Sequence, residues 1–227
     1  MALDQRGHGE ASGRRRWTTP PRATPATSAP SPTPLKLERF VLVGMSLGGA
    51  NGLAWAGRHS RRLAGLVMID VGPEVRAEGV RKIAAFTSEA TPLDSVEQYV
   101  ERALSFNPRR NRELLRRSLL HNLRRMPDGR FMWKYDQRHR GRALDPAVVT
   151  RRREMLWSAV DGVTCPALVV RGAQSDVFHD EDAERLAGRF RQGRWVKIEG
   201  AGHTVQGDNP AGLLVELRKF LAEVATG

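Results

Sequence analysis

The sequence predicts an α/β fold: a parallel sheet with flanking helices and a helical insertion between two of the strands. Three observations carry this. Short apolar runs at 40–43, 65–70, 167–171 and 194–198 have the length and continuity of buried parallel strands. Helical patterns separate them, and such alternation closes into a parallel sheet with right-handed crossovers. The first run stops at Gly44-Met45-Ser46-Leu47-Gly48, and a small-residue helix pattern begins at once. A serine on so sharp a turn needs neighbours two residues away, here Gly44 and Gly48, that are nearly free of side chain. The helix N-terminus behind it favours negative charge developing there. G-x-S-x-G alone also fits a glycine-rich turn around a structural serine; the strand before and the helix after give the motif its weight.

Taken in order, residues 1–10 end a strand and enter a loop at Asp4-Gln5-Arg6-Gly7-His8-Gly9. Residues 11–34 differ in kind. No Leu, Ile, Val, Phe or Met lies between His8 and Leu35, while six of the chain's 13 prolines do. That composition cannot bury a core and predicts a disordered, partly polyproline segment. Its Arg, Pro, Ala, Thr and Ser mixture is also what GC-rich DNA yields when translated out of frame. After the serine turn and its helix, Gly65-Leu66-Val67-Met68-Ile69-Asp70 is a second strand, closed by Gly72-Pro73. Asp70 at its end is either an acidic partner for the site or a carboxylate that fixes the loop.

From 74 to 145 the pattern is helical and polar. Ser95 and Gln98 stand at capping-box spacing ahead of Val96, Tyr99, Val100, Ala103 and Leu104 on one helical face. A second, arginine-crowded helix is expected from Arg109 to Arg125, then a turn at Pro127-Asp128-Gly129. Phe131, Trp133 and Tyr135 read as core of this region rather than as a base-stacking platform. A helix from 145 to 157 leads to the third strand and its loop, Arg171-Gly172-Ala173-Gln174-Ser175-Asp176. A helix over 180–190, the fourth strand, the loop Gly200-Ala201-Gly202-His203 and a terminal amphipathic helix complete the chain.

Ser46, Asp176 and His203 all follow the C-terminal ends of strands, the edge where open α/β sheets bind ligands. A serine hydroxyl is a poor nucleophile until an imidazole takes its proton, and a carboxylate on the other ring nitrogen holds the tautomer. With the elbow Gly44-x-Ser46-x-Gly48, the Asp4-Gln5-Arg6-Gly7-His8-Gly9 segment and the order Ser46, Asp176, His203, the chain resembles the α/β-hydrolase family. Within it the look is of the smaller esterases, enol-lactonases and C–C hydrolases. The resemblance implies a serine hydrolase acting on a small ester, lactone or related carbonyl substrate. Ser46 would be the nucleophile, His203 the base and Asp176 the acid, with Asp70 the alternative acid. The Leu47 backbone N–H would be one oxyanion donor, His8 would be structural, and no cofactor would be needed. Residues 35–73 and 146–227 would form the core and 74–145 a helical cap over the site. Three strands, a helix and the second oxyanion donor precede this point in the family. The resemblance therefore implies a chain truncated at its N-terminus, with 1–10 a remnant strand and loop. A catalytically impaired fragment is the accompanying alternative.

Composition bounds the remaining readings. The formal net charge is +12, with arginine dominant. Nucleic-acid binding through the arginine-rich helix is the alternative from another class, but a GC-biased gene produces the same excess, so nucleic acid is an unlikely partner. No stretch has the length of a membrane span and no signal-peptide pattern opens the chain, so the expected location is cytoplasmic. The one cysteine, Cys165, excludes an internal disulfide and suits a buried structural thiol. His179, Asp180, Glu181 and Asp182 are consecutive; they suit a helix N-terminus, and no metal is assigned. The oligomeric state is not written in the sequence.

Overall fold

The computed structural model describes Ala2, Asp4, His8 and residues 37–88, 91–135 and 145–226. The expectations for 11–34, and for a strand within 1–10, lie outside these residues. In chain order the elements are β1 (Phe40–Met45), α1 (Leu47–His59), a single 3₁₀ turn at Ser60–Arg62, β2 (Leu63–Ile69), α2 (Ala77–Ser88), α3 (Val96–Phe106) and α4 (Arg112–Asn122). There follow β3 (Leu123–Arg125), β4 (Phe131–Trp133), α5 (Pro146–Asp161), β5 (Ala167–Gly172), α6 (Asp180–Arg189), β6 (Gly193–Ile198), α7 (Val205–Asp208) and α8 (Pro210–Thr226). Among the described residues they fall into two compact units, one holding 37–80 and 145–226, the other 81–88 and 91–135.

The sheet unit is the predicted α/β architecture. Its parallel strands run in the order β1-β2-β5-β6. Alternate residues of a strand face opposite sides, and β2 feeds two cores in this way. Leu66 and Met68 pack with Leu53 and Ala56 of α1, Leu156 and Val160 of α5, and Leu186 of α6. Val67 and Ile69 pack with Leu168, Val170 and Phe220 of α8 on the other side. This two-sided burial is why these strands read as unbroken apolar runs rather than as alternation. β1 is an edge strand whose neighbour among the described residues is β2, and Val43 on it is 47% exposed.

The insertion has its own small core, in which Tyr99, Val100, Leu115, Leu119 and Leu123 are buried against Phe131 and Trp133. Ser95 caps α3 as its spacing predicts, accepting the Gln98 N–H at 3.3 Å, while the Gln98 side chain returns to the Asp94 N–H. One expectation is corrected: the helix expected to run to Arg125 ends at Asn122. Leu123–Arg125 instead pairs antiparallel with Phe131–Trp133 across the predicted turn. Tertiary pairing with an aromatic strand here overrides the good intrinsic helix preference of Leu and Arg, and Leu123 keeps its core position either way. On α4, Arg116 pairs with Glu97 at 2.5 Å and Arg112 with Glu101, so part of the basic face is neutralised by the neighbouring helix. No helix among the described residues is long and apolar enough to cross a membrane.

Candidate active site

The strand ladder delivers the site. β1 and β2 pair through Met45 opposite Ile69, so Ser46 and Asp70 are the first residues beyond two adjacent strand ends. The Ser46 N–H donates to the Ile69 carbonyl at 3.0 Å, and the Asp70 N–H to the Val170 carbonyl at 2.7 Å. Both residues then turn into the left-handed region, each with φ of 50°. A non-glycine residue held there costs on the order of 1–3 kcal/mol and persists only where its surroundings demand it. At Ser46 the demand is steric. A Cβ on Gly44 would stand 2.7 Å from the Gly48 carbonyl group, so only glycine lets α1 start this close to β1. Leu47 opens α1, and its N–H belongs to the first turn, whose donors have no carbonyl within the helix.

His203 arrives from the loop after β6. That loop is tied down by Gly202 N–H to Asp208 at 2.9 Å, and by Gln174 N–H to the Ala201 carbonyl at 2.8 Å. The imidazole lies between the two strand ends. Its Nε2 is 3.0 Å from Ser46 Oγ, and its Nδ1 is 2.8 Å from Asp70 Oδ2. With Nδ1 carrying the proton toward the carboxylate, Nε2 is left as the acceptor facing the serine hydroxyl. Asp70 is fully buried, and its other oxygen accepts the Gly172 N–H at 2.9 Å.

The expectation that Asp176 stands on His203 is therefore corrected. The structure brings Ser46 and His203 together as the motifs suggest, but the carboxylate between them and the core is Asp70. Asp176 is exposed on the loop after β5, and that loop reaches Asp70 through Ser175, whose hydroxyl donates to Asp70 Oδ2 at 2.5 Å. Sequence reasoning missed Ser175 altogether. A signal for Asp70 was present: a carboxylate set directly in Leu66-Val67-Met68-Ile69-Asp70-Val71 is buried by its neighbours, and a buried carboxylate requires partners.

The comparisons with known proteins follow this geometry. A model described as the alpha/beta hydrolase family matches residues 1–217. The chain belongs to the alpha/beta hydrolase family. It is 31% identical over 230 residues to an esterase of Mycobacterium tuberculosis, covering 97% of this chain and 74% of that one. A solved structure of that esterase superposes with a TM-score of 0.72 at 28% identity, over 96% of this chain and 75% of the other. An alpha/beta hydrolase from Novosphingobium aromaticivorans superposes with a TM-score of 0.73 at 25% identity, over 95% and 77%. A 3-hydroxybutyrate-oligomer hydrolase of Cupriavidus necator is 26% identical over 195 residues, covering 82% of this chain and 66% of that protein. The chain is thus an alpha/beta-hydrolase-fold enzyme related to esterases.

Two further groups of reactive side chains lie elsewhere in the sheet unit. His179, Glu181 and Asp182 bring ligand atoms within 4.8 Å of one another. Their oxygens are engaged by protein cations: Asp182 by Arg76 at 2.9 Å and Arg185 at 3.3 Å, and Glu181 by Arg76 at 3.3 Å. Asp182 also accepts the His179 N–H at 3.1 Å, which makes the group a helix cap. Cys165 is buried near the opposite end of the sheet, and burial pushes its thiol above the usual range, away from the thiolate that chemistry needs.

Proposed function

We propose that this chain is a serine hydrolase acting on a small ester, lactone or related carbonyl substrate. Ser46 is the nucleophile, His203 the general base and Asp70 the acid. The observation that carries the reading is the unbroken relay from Ser46 Oγ through His203 to a buried carboxylate, at 3.0 and 2.8 Å. Ser46 Oγ attacks the carbonyl carbon as its proton passes to His203 Nε2. Asp70 holds the tautomer and stabilises the imidazolium that forms. The Leu47 N–H, at the positive end of α1, donates to the developing oxyanion. His203 then protonates the leaving oxygen, and water repeats the sequence on the acyl-enzyme. The relatives, an esterase and an oligomer hydrolase, favour carboxylic esters as the substrate class.

A serine-reactive phosphonate probe tests this. Labelling should map to Ser46 and disappear in Ser46→Ala. Labelling that survives this substitution removes Ser46 from the mechanism.

A further inference from the structure

The loop after β5, where the sequence suggests an acid, instead brings a hydroxyl to the acid of the neighbouring strand end. Ser175 is buried, and its O–H lies 2.5 Å from Asp70 Oδ2, the same oxygen that faces His203 Nδ1. The direction of that bond follows from its neighbours. Ser175 Oγ accepts the Val177 N–H at 3.2 Å, and an ionised carboxylate has no proton to give, so the serine donates.

The serine is itself held from behind. Buried Arg171 donates Nε to the Phe178 carbonyl at 2.8 Å and Nη1 to the Ala173 carbonyl at 3.1 Å, and it pairs with Asp180 at 2.8 Å. The Ala173 N–H bonds the Ile198 carbonyl at 3.0 Å, which ties the same loop to β6. Ser60, the other serine buried among the described residues, makes the useful contrast. Its oxygen accepts the Thr164 N–H at 2.8 Å and the Cys165 N–H at 3.2 Å, so it serves loop amides.

We infer that Ser175 is a positioning residue for the proposed hydrolysis, which fixes the Asp70 carboxylate and shares with His203 the oxygen that holds the imidazole. The inference rests on the serine-hydrolase reading above. A carboxylate whose Oδ1 is tied to the Gly172 N–H and whose Oδ2 takes two donors has one orientation. Without Ser175 that oxygen answers to His203 alone, so the His203 Nδ1 proton is drawn closer to it while the carboxylate gains freedom to turn. Ser46 is then activated less consistently.

Two readouts test this: the rate of phosphonate labelling at Ser46, and the far-downfield proton resonance of the His203 Nδ1–H. Ser175→Ala should label roughly tenfold more slowly, the scale on which outer partners of a reacting group act, and its resonance should move further downfield. Ser175→Thr keeps the hydroxyl and should restore both. A folded Ser175→Ala chain with its resonance in place overturns the inference, whether or not labelling has slowed, because a structural defect alone would leave the Asp70–His203 bond as it was. Should Ser175→Ala not fold, Ser175→Cys keeps the volume with a weak donor. If Ser175→Cys matches the parent in both readouts, the inference is overturned as well. A parent chain that does not label at all counts against the hydrolase reading, while the resonance comparison still decides the part played by Ser175.

Discussion

The ends of β2 and β5 are neighbours in the sheet, and an aspartate follows each of them. Asp70 comes directly after β2, with its backbone in the left-handed region and its side chain out of reach of water. Asp176 comes four residues after β5 and is exposed. Burying a carboxylate is costly unless hydrogen bonds replace its hydration, and Asp70 has three: Gly172 N–H, Ser175 O–H and His203 Nδ1–H. Two of these partners belong to the β5 end. The β5 loop therefore holds a carboxylate placed on β2, and a buried carboxylate's demand for partners outweighs position in a motif order. The left-handed turn at Asp70 is one cost of this arrangement, offset by the same bonds.

Neutralising each aspartate in turn should give very unequal results. Asp70→Asn should lower phosphonate reactivity and ester turnover by on the order of 10⁴-fold, the scale seen when a triad loses its acid and the imidazole is held in the wrong tautomer. A next, smaller effect separates structure from chemistry. Ser60→Ala strips the buried Cys165 amide of an acceptor and should cost about 1–3 kcal/mol in denaturant unfolding, with labelling of the folded protein unchanged. A labelling defect there would mean that the two ends of the sheet are coupled. Asp176→Asn should alter reactivity by less than about twofold, as surface substitutions usually do; a large loss would restore Asp176 as the acid.

The smallest effect sharpens the account of the β5 loop. The Lys197 ammonium hydrogen-bonded to Asp180, together with nearby Arg171, holds the Asp180 carboxyl below its ordinary value of 3.8. A depressed value means that the folded chain favours the ionised form, so this contribution is complete above pH 3.8 and is lost as pH falls further. Asp180→Asn should therefore lower the urea midpoint slightly at neutral pH, and the difference from the parent should fade on acidification. A difference that grows with acid would reverse the sign and remove the ion pair from the account.

Much of this molecule is legible in its sequence. The four apolar runs became β1, β2, β5 and β6 with ends moved by a residue or two, because burial on both faces leaves an unmistakable apolar signature. That Ser46 and His203 stand at one sheet edge is also legible, since a tight turn and a glycine-rich loop are local features. The β3–β4 hairpin was not, because Leu119 and Leu123 keep helical spacing and only pairing with Phe131–Trp133 decides the matter. Asp70 stands behind Asp176 on sequence grounds for a related reason. Its Gly172 and Ser175 partners lie more than a hundred residues away, and no local pattern reports a hydrogen bond made across the sheet.

Proton NMR reads the pairing of His203 with Asp70 at the proton itself. An imidazole Nδ1–H held by a buried carboxylate gives a far-downfield resonance, which can be assigned among the chain's six histidines by its loss in His203→Gln. The account predicts that this resonance is present in the parent and in Asp176→Asn, and absent in Asp70→Asn. A resonance that persists in Asp70→Asn and vanishes in Asp176→Asn would contradict it.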